Sequence, residues 1–222
     1  MNPMSWDKIN VFQYQQLYPI LKEEDENIKI SKAISVLFGL TYNEIASLSV
    51  EQYIKYKKSL SFLKDDIQMK PAKFIKVGKK MYKCIYDIKK IPASRYIETK
   101  VFSSDFVDNL HKIAASMVIP MKWKYFRWVE DKYDASKHED YSADMLEAKF
   151  KDIYNSIVFF YFVYRNWMET SKDYLIQQMM KTGKSHSEAK KEVQDLLNIL
   201  DGNIVLNPLL ITTISQYQKH MI

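Results

Sequence analysis

FIKVGKKMYKCIYDIKKIPASRYIETKVF, Phe74 to Phe102, opens with the period of a β-strand and closes with that of a helix. Ile75 and Val77 flank Lys76; after Gly78-Lys79, the residues Tyr82, Cys84, Tyr86 and Ile88 alternate with Lys83, Ile85 and Asp87. β-Branched and aromatic residues alternating around a glycine turn signal a hairpin, here over residues 74–88. Pro92 suits the first turn of a helix reaching Phe102, with Tyr96 and Ile97 inward. Two strands alone are marginal, so one face of the hairpin must lie on helices or join a third strand.

Working toward the N-terminus, the periodicity is helical. Trp6 to Leu21 repeats apolar residues at Ile9, Phe12, Leu17 and Ile20, with Pro19 expected to bend or end the helix. KEEDEN, Lys22 to Asn27, reads as a charged connector. Ile28 to Phe38 places Ile30, Ala33, Ile34, Leu37 and Phe38 on one face, and Gly39 fits its C-terminal cap. TYNE and SVEQ are capping boxes, with Thr41 and Ser49 as N-caps and Glu44 and Gln52 three residues on. They predict a one-turn helix, Tyr42 to Ala46, then a longer one, Val50 to Leu63. In the longer helix Tyr53, Tyr56, Leu60 and Leu63 share a side, and Lys55, Lys57 and Lys58 face water.

Toward the C-terminus, Asp105 to Ile119 reads as a helix stopped by Pro120, with Phe106, Leu110, Ile113, Ala114 and Met117 on one face. Trp123, Tyr125, Phe126 and Trp128 then break the period, as a short strand or an irregular packing segment, and Glu130 to Asp144 is an acidic, solvated loop. Met145 to Thr170 predicts the longest apolar helix. Its unbroken apolar run, Ile157 to Tyr164, is far short of the roughly 20 residues of a membrane span. It reads as a central core helix, though the stripe Phe159, Phe160, Phe162 and Tyr164 also suits a partner subunit. A helix over Ser171 to Lys181 follows, and SHSE, Ser185 to Glu188, caps another that reaches Leu200. Leu206 to Ile222 is an apolar, lightly charged docking segment. The expected class is mainly α: a helical bundle-like body with one small β-hairpin, α+β in a minor sense. Residues 1–120 form a helical module carrying the hairpin, 121–144 an aromatic and acidic connector, and 145–222 a C-terminal helical segment packed on the first as one compact unit.

Composition narrows the function. Four Gly and six Pro in 222 residues are too few for an all-β fold, and 47% hydrophobic with 27% charged residues suits a globular chain. Cys84 stands alone, so no intramolecular disulfide forms and a reducing compartment is expected. No signal peptide is expected from MNPMSWDKINVF. The net charge of +6 would suit an anionic partner, but all except Arg95, Arg127 and Arg165 of the 33 basic residues are lysines, spread among acids. Phosphate and base readout favour the guanidinium fork, so a nucleic-acid partner is not expected. The sequence contains no phosphate-binding glycine loop and no nucleophile elbow. Asp134, His138, Glu139 and Asp140 lack zinc-ligand spacing, Cys84 has no histidine neighbour, and His111, His186 and His220 sit where helix surfaces or a tail explain them. A non-enzymatic protein without cofactor, metal or membrane partner is expected.

Three stretches carry a family resemblance: LFGLTYNEIASLSVEQYIKYKKSLSFL (Leu37 to Leu63), Phe74 to Phe102 with its RYIE core, and DNLHKIAASMVIP (Asp108 to Pro120). Their order resembles the tail-assembly chaperones of long-tailed bacteriophages and their baseplate-assembly relatives, and the Lys-, Ile- and Tyr-rich composition is similar to that of phages of gut Bacteroidetes. The resemblance covers about a third of the chain and carries over no catalytic or ligand residue. It implies a morphogenesis protein of the host cytoplasm that binds an apolar helical client such as the tape-measure protein. The candidate partner-binding surface is Tyr53, Tyr56 and Leu60 with Trp123, Phe126 and Trp128. Competing readings are a structural virion subunit (tail, connector or baseplate) assembled as a homo-oligomer, and a nucleic-acid-binding accessory protein.

Overall fold

Helix caps set the N-terminal half. In this computed structural model, which describes residues 4–68, 70–87, 95, 99, 102 and 105–201, Asn10 and Gln13 exchange bonds at the start of α1, Val11–Leu21. The Gln13 N–H donates to Asn10 Oδ1 at 2.8 Å, and the Asn10 N–H donates to Gln13 Oε1 at 3.1 Å. Pro19 is accommodated in the last turn of α1 without ending it. The expected connector is shorter than its charge suggests. Asp25 accepts from the N–H groups of Asn27 and Ile28 and starts α2, Glu26–Phe38, two residues before Ile28. Gly39 ends α2 at φ +70°, a left-handed cap that favours glycine. The Thr41–Glu44 and Ser49–Gln52 boxes open α3, Tyr42–Ala46, and α4, Val50–Ser59. Leu60 closes α4, and Ser61–Lys64 tightens into a 3-10 turn in place of a fourth helical turn.

The hairpin is present as β1, Phe74–Val77, and β2, Lys80–Cys84. It does join a third strand, and a fourth: β3, Val118–Lys124, and β4, Arg127–Glu130, complete an antiparallel sheet in the order β1-β2-β3-β4. This corrects two expectations. The helix read over Asp105–Ile119 contracts to α5, Leu110–Ser116. Val118 and Ile119 are β-branched, and as strand residues they pair with Cys84 and Lys83 and satisfy the open edge of β2. Pro120 lies inside β3, with its carbonyl accepting from the Asp131 N–H. Where the sequence suggests a connector, 121–144 supplies most of β3, all of β4 and much of α6, His138–Glu147. Tyr141, Ser142 and Met145 of α6 are buried, so the acidic stretch is only partly solvated.

The C-terminal helices also divide differently. Met145 belongs to α6; the chain then extends at Ala148, whose carbonyl accepts from the Val11 N–H, while the Phe150 N–H donates to the Ile9 carbonyl. This clasp separates α6 from α7, Phe150–Lys181, a helix of 32 residues and about 48 Å. No break falls at Ser171. Neither Gly nor Pro interrupts the helix there, and Thr170 Oγ1 donates back to the Asn166 carbonyl. α8 is His186–Asp201, capped by Ser185 and Glu188 as expected. The expected helix Pro92–Phe102 and the segment Leu206–Ile222 lie outside the described residues, except that Arg95 and Thr99 are helical and buried and Phe102 is half-buried in a turn.

The chain is therefore mainly α, with eight α-helices among the described residues and one small antiparallel sheet. The first half of α7 is its axis. Phe150, Ile153, Ile157 and Phe160 are buried to 1% exposure or less, and Phe150 stacks on Tyr14 of α1 with centroids 3.6 Å apart. These residues are core. Farther along, Tyr164 and Ile176 of α7 pack with Ala189 and Val193 of α8 in a second, smaller cluster. The sheet lays Ile75, Tyr82, Cys84 and Val118 on the main core. Strand alternation turns Phe74, Met81, Ile119, Met121, Trp123 and Trp128 to the opposite face.

Candidate functional site

The expected partner surface divides into two places. Leu60, buried, lies in the floor of a groove between α2 and α4. Tyr53 and Tyr56 turn away from it and pack on the main core, Tyr56 edge-on to Phe38 at 4.9 Å. Trp123, Phe126 and Trp128 are on the β3–β4 hairpin, and among the described residues no ring contact joins them to α4.

The groove has a volume of about 1040 Å³. Leu21, Ile30, Ala33, Ile54, Leu60 and Leu63 supply its apolar lining. Ile30, Ala33 and Leu60 form a buried floor, whereas Ile54 is 44% exposed. Lysines rim it. Lys29 is neutralised by Glu26 at 3.1 Å, but among the described residues no carboxylate lies within ion-pair distance of Lys57, Lys58 or Lys64. Ile54 was legible as the partner of Val50 at i, i+4 on a second stripe of α4. The Tyr53, Tyr56, Leu60 stripe outweighed it because it is longer and more aromatic.

The hairpin builds the second surface. β3 and β4 pair from Met121↔Glu130 to Lys124↔Arg127, while β2 pairs with β3 only as far as Met121. The last rows of β3 and β4 thus project as a two-stranded arm. Its turn, Tyr125-Phe126, has positive φ at both residues, 51° and 59°, the pattern of a type I′ turn. Such turns ordinarily use Asn-Gly, and the left-handed region costs an ordinary residue about 1–2 kcal/mol. β1–β2 is closed with the same loop length by Gly78, at φ 54°. At the arm, the strained positions instead hold Tyr125 77% and Phe126 94% exposed. Behind them Trp123 and Trp128 meet edge to face, centroids 5.5 Å apart.

Several polar groups elsewhere are engaged with one another. In a cleft of about 660 Å³ beside β2 and α6, Lys80 grips both Asp144 oxygens at 2.7 and 2.9 Å, and the Tyr82 hydroxyl donates to the same carboxylate. Burial and that carboxylate push the Tyr82 phenol well above its ordinary pKa. Lys122 pairs with Asp131 and Lys83 with Glu130. His138 stacks on Phe102 with its Nδ1 3.1 Å from the Tyr133 hydroxyl, so its ring is used structurally. Cys84 is buried, 3.7 Å from Ser156 Oγ, and burial pushes its thiol up to about 11. The His111 imidazole is held below its ordinary pKa, first by burial and then by Lys112. Among the described residues no group of three or more His, Cys, Asp or Glu side chains is placed to hold a metal ion. Nor, among them, is any helix long and apolar enough to cross a membrane. Comparison with protein-family models, with curated proteins and with solved structures gives no match.

Proposed function

We propose that the protein is a non-enzymatic binding protein that captures an amphipathic helix of a partner in the α2–α4 groove. Its role would be that of a phage tail-assembly chaperone holding a tape-measure-like client. The observation that carries this reading is the groove: an apolar trough of about 1040 Å³ flanked by Lys57, Lys58 and Lys64 without acidic partners among the described residues. A helix inserts apolar side chains at i, i+3, i+4 and i+7 into such a trough. Glutamate or aspartate on the flanks of that helix would meet the three lysines and fix its direction. The resemblance of Leu37–Leu63, Phe74–Phe102 and Asp108–Pro120 supplies the assembly context.

The test is tagged capture from infected cells, run in parallel with the wild type and with Ile54→Asp, alongside mass spectrometry of purified virions. The reading expects a long helical client on the wild type, its loss from Ile54→Asp, and absence of the protein from virions. Fixed copy number in virions would instead make it a structural subunit, and equal capture by Ile54→Asp would remove the groove from the account.

A further inference from the structure

The arm is not needed for the groove, and its construction calls for a separate explanation. Four aromatic rings lie at one end of a two-stranded projection, three of them at least 59% exposed: Trp123, Tyr125 and Phe126. The turn holds the two outermost rings in backbone conformations that Asn-Gly would occupy without strain. Unfavourable local conformation kept at an exposed site is a pointer to use. The charges beside the rings are positive. Lys124 and Arg127 flank the turn and are exposed, and Lys124 Nζ lies 4.9 Å over the Tyr125 ring. The nearest acids are engaged, Glu130 by Lys83 and Asp131 by Lys122.

We propose that this arm docks on an anionic lipid surface, with Phe126 and Tyr125 entering the interfacial layer and Lys124 and Arg127 meeting lipid phosphates. Three features favour a bilayer. Tyr125 and Phe126 stand 77% and 94% exposed at the turn of a two-stranded arm, so they enter a layer more readily than they enclose a ligand. Tyrosine and tryptophan prefer the membrane–water interface, where the ring is buried and the polar atom stays wet. The depth also fits. Trp123 and Trp128 lie two residues behind the turn, about 7 Å, within the roughly 5–10 Å layer that interfacial segments occupy. Single-stranded nucleic acid fits less well. Trp123 and Trp128 meet at 72° rather than offering parallel faces, and on the adjoining outer face Ile119 and Met121 separate them from Phe74, so the aromatic rings form no continuous stacking platform.

Vesicle co-sedimentation of the full chain tests this, using phosphatidylcholine vesicles with and without phosphatidylglycerol. Tryptophan emission is recorded in parallel. The wild type is expected on the phosphatidylglycerol vesicles, with a blue shift, and weakly on phosphatidylcholine alone. Tyr125→Asn with Phe126→Gly keeps a well-formed turn, so a folding defect does not confuse the result; it should weaken vesicle binding at least roughly tenfold. Lys124→Glu with Arg127→Glu should remove the preference for the anionic lipid. Ile54→Asp, which spoils the groove, should leave vesicle binding unchanged, so the two surfaces fail independently. Absence of wild-type binding, or equal binding by the Asn-Gly variant, overturns the proposal. Tight binding of a single-stranded oligonucleotide that is lost in the Asn-Gly variant, with vesicles ignored, overturns it in favour of nucleic acid.

Discussion

Tyr125 and Phe126 occupy at the β3–β4 turn the backbone region that Gly78 supplies at β1–β2. Their replacement by Asn-Gly should therefore stabilise the fold, by about 1–2 kcal/mol in total. For a chain of this size that is a rise in Tm of about 2–8 °C by circular dichroism. An unchanged or lower Tm would mean that the rings support the fold and that the turn is not strained for their display. Cys84 gives a second test at this scale. With its thiol buried and raised to about 11, it should resist a thiol reagent at pH 8 in the native protein and react once in denaturant. His111 gives a third. The Gln15 amide nitrogen lies 3.0 Å from its Nδ1 and 2.8 Å from the Val107 and Asp108 carbonyls, a site made for a neutral ring. Its folded pKa is depressed, so the unfolded chain takes up the proton first. The stabilisation from the neutral ring is full above the unfolded value near 6.5 and is lost as pH falls through the lower folded one. Urea midpoints between pH 7 and 5 should fall less steeply for His111→Gln than for the wild type.

At the scale of elements, the caps make local predictions. Ser49→Ala removes the acceptor of the Gln52 N–H and should cost about 1 kcal/mol in chemical denaturation, with an unchanged m-value. These caps were readable because a capping box is complete within four residues, as the paired bonds at Thr41, Ser49 and Ser185 show. β3 was not readable in the same way. Val118 and Ile119 continue the helical pattern up to Pro120, and only the unpaired edge of β2, more than thirty residues earlier, makes a strand the better state for them. α6 was hidden by its composition: Tyr141 and Met145 are a single i, i+4 pair among acids, and their burial depends on neighbours from distant sequence. The candidate surface shows the same divide. Periodicity could place Tyr53, Tyr56 and Leu60 on one side of α4, but which side meets α2 is a tertiary fact, and it sends the tyrosines inward and Ile54 to the groove. The exposure of Trp123 and Phe126 follows from the β3–β4 hairpin, where the sequence suggests a short strand but no glycine marks the turn.

On the scale of the whole molecule, α7 joins the parts. Its N-terminal half is buried on nearly every side, and the Ile9–Phe150 and Val11–Ala148 backbone bonds fasten it to α1. Phe150→Ala should cost about 3–5 kcal/mol, since it removes a fully buried ring stacked on Tyr14 and touching Tyr154. If the α2–α4 groove is preformed in solution as its packing on this core implies, the ordering cost of capture is lowered. The proposed capture of an acidic amphipathic helix in the α2–α4 groove is open to a fluorescence-anisotropy titration with three labelled helical peptides: one with a leucine stripe flanked by glutamates, one with the same glutamates and serines for leucines, and one with the leucines flanked by lysines. Only the first is expected to saturate, and Lys57→Glu with Lys58→Glu and Lys64→Glu should abolish its binding in a chain that still melts cooperatively. Equal binding of the serine peptide would reduce the interaction to net charge, and unchanged binding by the triple variant would place it elsewhere; either result would rule out capture in the groove.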